Sequence, residues 1–151
     1  MPTNAIAAYG TLLKRGAASS GSNTFSTYAT IGEVKGIKGP STEVSTIDVT
    51  THSSAASGNY REFIPSLIDP GTIDVELNWA PADSTHALLW TDLTNRTKRD
   101  FLIQTTANSS GASAQMLFAA YVTNFAKEFA TDDVQTATIT LKITGAITLN
   151  T

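Results

Sequence analysis

Two histidines, His52 and His86, are the first candidates for acid–base or metal chemistry in this chain of 151 residues, and they stand 34 positions apart. Neither has zinc-site spacing. His52 falls at a strand end beside a flexible stretch and His86 on the apolar stripe of a helix, so packing or solvent exposure accounts for both. Asp74 with Glu76 and the pair Asp132-Asp133 have the residue types for general acid and base work. Residues two apart on a strand, however, only share its wet face, and Asp-Asp ahead of a strand is turn chemistry. The stretch 36–41 (Gly-Ile-Lys-Gly-Pro-Ser) is rich in glycine like a phosphate loop, but it lacks the Gly-Lys-Ser/Thr ending and leads into a strand, which makes it a turn. No nucleophile elbow, P-loop or dinucleotide fingerprint occurs in the sequence. With zero cysteines there is no thiol nucleophile, disulfide framework or cysteine zinc site, and the redox compartment stays open. Lys14-Arg15 and the run 96–99 (Arg-Thr-Lys-Arg) are the basic clusters; the second falls where a helix ends, and the helix C-terminus explains it without a ligand. No catalytic, cofactor-binding or metal-ligating residue is expected, nor an enzyme.

The elements that carry these residues follow from composition. Length sets one domain. Apolar residues make up 41% and charged residues 15%, and 24 Thr with 14 Ser fill the difference. Threonine suits a half-buried pleated strand better than a helix interior, so the fold reads as mostly β. A net charge of −3 excludes a conventional nucleic-acid binder. No apolar run approaches the roughly 20 residues needed to span a bilayer, and the first residues lack the plan of a secretory signal; the protein reads as soluble with no membrane anchor.

Residues 1–27 hold the low-complexity stretch 16–23 and are expected to form an arm that orders only against something else. Strands are expected over Tyr28 to Lys38 and Glu43 to Thr51, paired as a hairpin across Gly39-Pro40-Ser41. The span 52–71 reads as a long loop, flexible at first and then rich in anchors: Tyr60, Arg61, Phe63, Ile64, Leu67 and Ile68. Thr72 to Trp79 alternates cleanly, with Ile73, Val75, Leu77 and Trp79 on one face and Asp74, Glu76 and Asn78 on the other. Asp83 or Ser84 caps a helix ending near Asn95, with His86, Leu89, Trp90 and Leu93 on its stripe. Phe101 to Thr105 is a short strand. Gln115 to Phe125 is a longer one, with Met116, Phe118 and Val122 on one side and Leu117, Tyr121 and Phe125 on the other, both sides covered. Val134 to Ile143 alternates Ile139, Leu141 and Ile143 against Thr138, Thr140 and Lys142, and residues 146–151 form a small extended tail. Apolar anchors on flexible segments mark protein–protein contact, and the chain reads as an assembly subunit.

The strings Ile31-Gly32-Glu33-Val34-Lys35-Gly36-Ile37-Lys38-Gly39-Pro40-Ser41, Ile47-Asp48-Val49-Thr50-Thr51-His52, Tyr60-Arg61-Glu62-Phe63-Ile64-Pro65-Ser66-Leu67-Ile68-Asp69 and Tyr121-Val122-Thr123-Asn124-Phe125, followed by Leu141-Lys142-Ile143-Thr144-Gly145, resemble the major tail tube proteins of long, flexible-tailed bacteriophages. They run in the family's order over about residues 28–145. The resemblance implies a β-sandwich or barrel-like domain with one flanking helix, an N-terminal arm and a long inter-strand loop. Six copies would close a ring, and rings would stack into a tube lined by four strands per subunit. About 24 strands at ~4.8 Å, tilted ~40°, give a backbone diameter near ~48 Å, and the roughly 35 Å left after side chains clears a ~20 Å duplex. The implied partners are other copies of the chain, a tape-measure protein, and tail terminator and tail-tip proteins, with DNA passing through the lumen without specific binding. The implied location is the virion tail, assembled in the bacterial host cytoplasm. Six subunits at −3 carry −18 per ring, which keeps a polyanion from sticking. Tyr60, Arg61, Phe63, Ile64, Leu67 and Ile68 are expected at a subunit interface. Asp74, Glu76 and Asn78 are expected to face the lumen, although an outer-sheet position would show the same alternation. A contractile secretion tube protein and a carbohydrate-binding or adhesin β-sandwich, with Trp79 or Trp90 stacked on sugar, are the alternatives.

Overall fold

The computed structural model describes residues 5–18, 28–53, 58, 60–107, 111 and 113–150, of which residues 17 and 18 by backbone only. Among these described residues nine strands and one helix follow in chain order: β1 (Leu12–Ala18), β2 (Ala29–Thr30), β3 (Val34–Lys38), β4 (Glu43–Asp48), β5 (Phe63–Asp69), β6 (Thr72–Asn78), α1 (Ser84–Asn95), β7 (Arg99–Gln104), β8 (Gln115–Glu128) and β9 (Thr136–Asn150). Seven of them form one antiparallel sheet in the order β2-β1-β7-β8-β9-β6-β3, and β4 pairs with β5 in a separate two-stranded ribbon. The two ends of the large sheet are close in the chain, since β2 ends at Thr30 and β3 begins at Val34. The short link between them donates Ile31 N–H to Leu13 O on one side, while Glu33 O accepts Asn78 N–H on the other, both at 2.9 Å. The sheet therefore curls back on itself, bringing its two end strands together.

The core fills the inside of that curl. Ile73, Val75 and Leu77 of β6, Ile139, Leu141 and Ile143 of β9, and Leu13, Phe101 and Phe118 from the far strands belong to one apolar cluster, with Leu89 of α1 packed into it. The alternation expected for Thr72 to Trp79 is present, and that expected from Val134 to Ile143 begins only at Thr136, because Val134 lies exposed ahead of β9. On β8, register shifts between Val122 and Asn124, so Phe125 joins Phe118 and Val122 on the core side instead of opposing them. A bulge moves each later side chain to the other face. Leu117 and its cross-strand partner Leu102 are buried on the opposite face, so this end of β7 and β8 is covered on both sides.

Helix α1 starts where expected: Asp83 accepts from Thr85 N–H at 2.8 Å and from the Thr85 hydroxyl at 2.6 Å. Those hydrogen bonds, the hydroxyl's first, hold its carboxyl below the usual carboxylate range. His86 and Leu89 are fully covered, whereas Trp90 remains 46% exposed. Trp90 instead stands edge-on to Phe125, and the Lys127 ammonium lies 4.1 Å from the Trp79 ring centre and 5.1 Å from that of Trp90. The run 96–99 departs from its helix-terminus reading. Arg96 ends the helix in the left-handed region, and Arg99 opens β7 with its Nε 2.8 Å from Asp92 Oδ1.

Three expectations from the sequence are corrected. Residues 12–18, expected within an arm, form β1 inside the sheet between β2 and β7; residues 1–4 and 19–27 lie outside the described residues. Residues 146–150, expected as a tail, continue β9 and pair with the start of β8, Met116 opposite Leu149. The hairpin across Gly39-Pro40-Ser41 does not exist: β3 pairs with β6, and β4 with β5. The glycine-proline pair bends an extended arm without reversing it, since β3 and β4 run on in one register along β6 and β5.

Candidate assembly surfaces

β3 and β4 form one arm of a long hairpin, and β5 and β6 the other. Lys38 lies opposite Asp74 and Glu43 opposite Asp69, so five residues forward on one arm match five residues back on the other and the register runs through the break. At the break the arms nearly touch. Gly71 has φ +80°, and a Cβ there would collide with the Ser41 carbonyl; Gly39 has φ +111°, and a Cβ there would come within 2.6 Å of Thr72 O. Only glycine meets both demands at these two points. Past them the ribbon leaves the body, and Asp69 anchors its root by accepting from Gly71 N–H and from the Lys142 ammonium, both at 2.8 Å. The Lys142 hydrogen bond, followed by that of Gly71, lowers the Asp69 carboxyl below its ordinary range.

The span 52–71, expected as a long loop, thus contains strand β5, and four of the six interface candidates are strand residues. A bulge between Val44 and Thr46 places Ile68 opposite Val44, Pro65 opposite Thr46 and Phe63 opposite Asp48. Paired residues share a face, so Val44, Phe63, Pro65 and Ile68 lie on one side and the Ile47–Ile64 pair on the other. Every position of β4 and β5 is exposed. Leu67, at the bulge, is 83% exposed, Tyr60 is 77% exposed just before the strand, and Arg61 reaches Asp48 at 3.8 Å. Two-stranded ribbons are marginal alone in water. One with apolar side chains on both faces leaves an unusually large apolar surface exposed on the single subunit.

The lumen candidates sit together on the other notable surface. Strands β8, β9, β6 and β3 are consecutive neighbours, and the side away from the core carries Asp74, Glu76 and Asn78 beside Thr138, Thr140 and Lys142. Asp74 accepts from the Thr140 hydroxyl at 2.7 Å, Glu76 lies 3.4 Å from Lys35, and Asn78 donates to Glu33 at 3.4 Å. The face is polar and hydroxyl-rich, and Glu76 is paired with Lys35 across strands.

The chemistry candidates are engaged elsewhere. His86 Nδ1 accepts from Ala80 N–H at 3.2 Å, Nε2 lies 3.0 Å from Gly32 O, and the ring stacks on Trp79, which occupies both nitrogens in structural work. His52 is exposed. Among the described residues no group of three or more His, Asp and Glu could hold a metal ion, and no helix is long and apolar enough to cross a membrane. The polar cluster that sequence reading missed is internal: Asp92 is 1% exposed and is gripped by Arg15 and Arg99. Its placement one turn after Leu89 was the available signal, but a core stripe is read from apolar residues and Asp92 is not one.

The described residues thus form a curled antiparallel barrel with one helix, a projecting apolar ribbon and a polar four-strand face. The family model for the lambda phage tail tube protein matches residues 15–150, and the chain belongs to that family. It is a structural tail tube protein and a virion component. Solved structures share the fold. A chain of the virion of the native gene transfer agent particle is similar over 97% of this chain and 100% of its own, at 16% identity and TM-score 0.72. The SPP1 tail tube is similar over 97% of this chain and 79% of its own, at 10% identity and TM-score 0.70. The sheath-tube complex of an extracellular contractile injection system, PVC, includes a chain similar over 97% and 92%, at 15% identity and TM-score 0.71. No curated protein matches by sequence.

Proposed function

We propose that residues 1–151 act as one tail tube domain that closes into rings of six, that the rings stack into the conduit through which the phage genome leaves, and that the chain has no enzymatic role. The observation that carries this reading is the β4–β5 ribbon, whose Val44, Ile47, Phe63, Ile64, Leu67 and Ile68 are all exposed in the single subunit. A neighbouring subunit supplies their cover. Tyr60 and Arg61, at the ribbon's outer end, belong to the same interface. The four-strand face β8-β9-β6-β3 supplies the channel wall, with Asp74, Glu76 and Asn78 in the lumen, matching the four strands per subunit that a wide enough channel needs. DNA passes without specific binding. A tape-measure protein occupies the channel during assembly in the host cytoplasm, and terminator and tip proteins close its ends.

Negative-stain microscopy of the purified protein at increasing concentration tests the assembly. Rings and tubes are expected from the wild type, and folded monomers from Phe63→Asp, because an unpaired carboxylate desolvated in an apolar interface costs several kcal/mol. Normal tubes from that variant would remove the ribbon from the interface. The fold is shared with a contractile injection system tube, and a neighbouring tape-measure gene, as against a membrane-anchored baseplate gene, separates the two settings.

A further inference from the structure

The wall face carries lysines that a DNA conduit would be expected to avoid, and two of them stand against a carboxylate of an adjoining segment. Lys35 Nζ lies 3.4 Å from Glu76, and Lys142 Nζ lies 2.8 Å from Asp69. Lys38 stands in register with Asp74, whose carboxylate accepts from the Thr140 hydroxyl. The paired groups stay about half exposed: 45% and 52% for Lys35 and Glu76, 44% and 59% for Lys142 and Asp69. Exposed pairs of this kind add little to stability. Their local electrostatic effect is larger: a lysine beside a carboxylate presents a dipole, whose field dies away well inside the ~8 Å over which a lone charge acts at physiological salt. Glu128 provides an internal contrast. It stands on the same face but opposite Thr136, with no lysine as its cross-strand neighbour.

We propose that the carboxylates of Glu76 and Asp69 mask Lys35 and Lys142 from duplex DNA, so that passage without adhesion depends on the pairing of individual charges and not on the net acidity of the wall. This deepens the reading of the face as the channel lining and rests on it. Removing a masking carboxylate then creates a phosphate contact, while removing an unpaired carboxylate of the same charge does not.

The test compares Glu76→Gln with Glu128→Gln, which change net charge identically. Binding of each purified subunit to a fluorescent duplex is followed across salt concentrations. Glu76→Gln is expected to bind more tightly than wild type, with its log–log salt slope steeper by about 0.9 for one freed lysine. Glu128→Gln is expected to match wild type, and the double change Lys35→Gln with Glu76→Gln to return to wild-type behaviour. Equal affinities for the two single variants, or continued tight binding by the double variant, overturn the masking. A second measurement addresses the lining separately. The chain has no cysteine, so Thr138→Cys gives a unique thiol on this face, expected to be protected in tubes from a maleimide polymer too wide for the channel. Rapid labelling of assembled tubes overturns the channel role whatever the binding data show.

Discussion

Arg15 and Asp92, 77 residues apart, form a two-pronged ion pair in the interior: Arg15 Nε donates to Asp92 Oδ2 at 2.6 Å and a terminal guanidinium nitrogen donates to Oδ1 at 2.9 Å. With Arg99 Nε on Oδ1 at 2.8 Å, one carboxylate joins β1, α1 and β7. Arg15 points to the core side of β1, beside Leu13. Asp92→Ala leaves two guanidinium groups facing each other without their counter-charge and should destabilise the subunit by about 3–5 kcal/mol. Urea denaturation of the monomer measures it, and a loss under about 1 kcal/mol would mean that the cluster is open to water in solution.

Gly71→Ala should uncouple the ribbon from the body. The new Cβ has no room against Ser41 O, and the backbone there lies in the left-handed region. A strain of about 1–3 kcal/mol is expected at the root. Amide exchange should quicken along β4 and β5 while β6 and β9 stay protected, and tube formation should fall; uniform protection would count against a strained root.

The two ribbon faces should differ in their response to charge. Ile68→Asp strikes the same side as Phe63 and Val44, and Ile64→Asp the side shared with Ile47. If the four-residue side is the main contact, Ile68→Asp blocks tubes at all concentrations, while Ile64→Asp raises the concentration needed. Critical concentrations from light scattering decide it, and the reverse order would turn the ribbon over.

Asp83 sets an acid limit on the helix. Its carboxyl is held below the ordinary value by Thr85, so the folded state favours the charged form. That contribution is complete above the unfolded carboxylate pKa and disappears as pH falls through the lower folded one. Asp83→Asn keeps the cap but removes the titration, so its stability should change less than that of wild type on acidification below about pH 4. Parallel curves for the two proteins would refute the assignment.

Charge reversal on β6 tests the wall more severely. Asp74→Lys with Glu76→Lys takes away the carboxylate partner of Lys35 and adds +4 per subunit, +24 over the proposed ring of six, turning −18 into +6. Tubes should form, since both side chains are exposed. DNA ejection should slow at low ionic strength and recover with salt; ejection insensitive to salt, with the substitutions confirmed in assembled tails, would place these residues outside the channel.

Much of this molecule is legible along the chain because its signals are local. The alternation of β6 and of β9 up to Ile143 and the Asp83 cap each depend on a few neighbouring residues, and each is found where the pattern puts it. The same holds for the surplus of large apolar residues between Tyr60 and Ile68, which have no place in the core. Strand pairing is not local. Gly39-Pro40-Ser41 looks like a reversal from within its own segment, yet the decision belongs to β6, more than thirty residues on, whose edge binds β3 and carries the arm straight past the turn signal. Residues 12–18 look too poor in large side chains to order alone, and alone they would not. They become a strand because β7 offers its edge and because Arg15 finds Asp92 in the interior, a charge pairing that no pattern of apolar residues can announce.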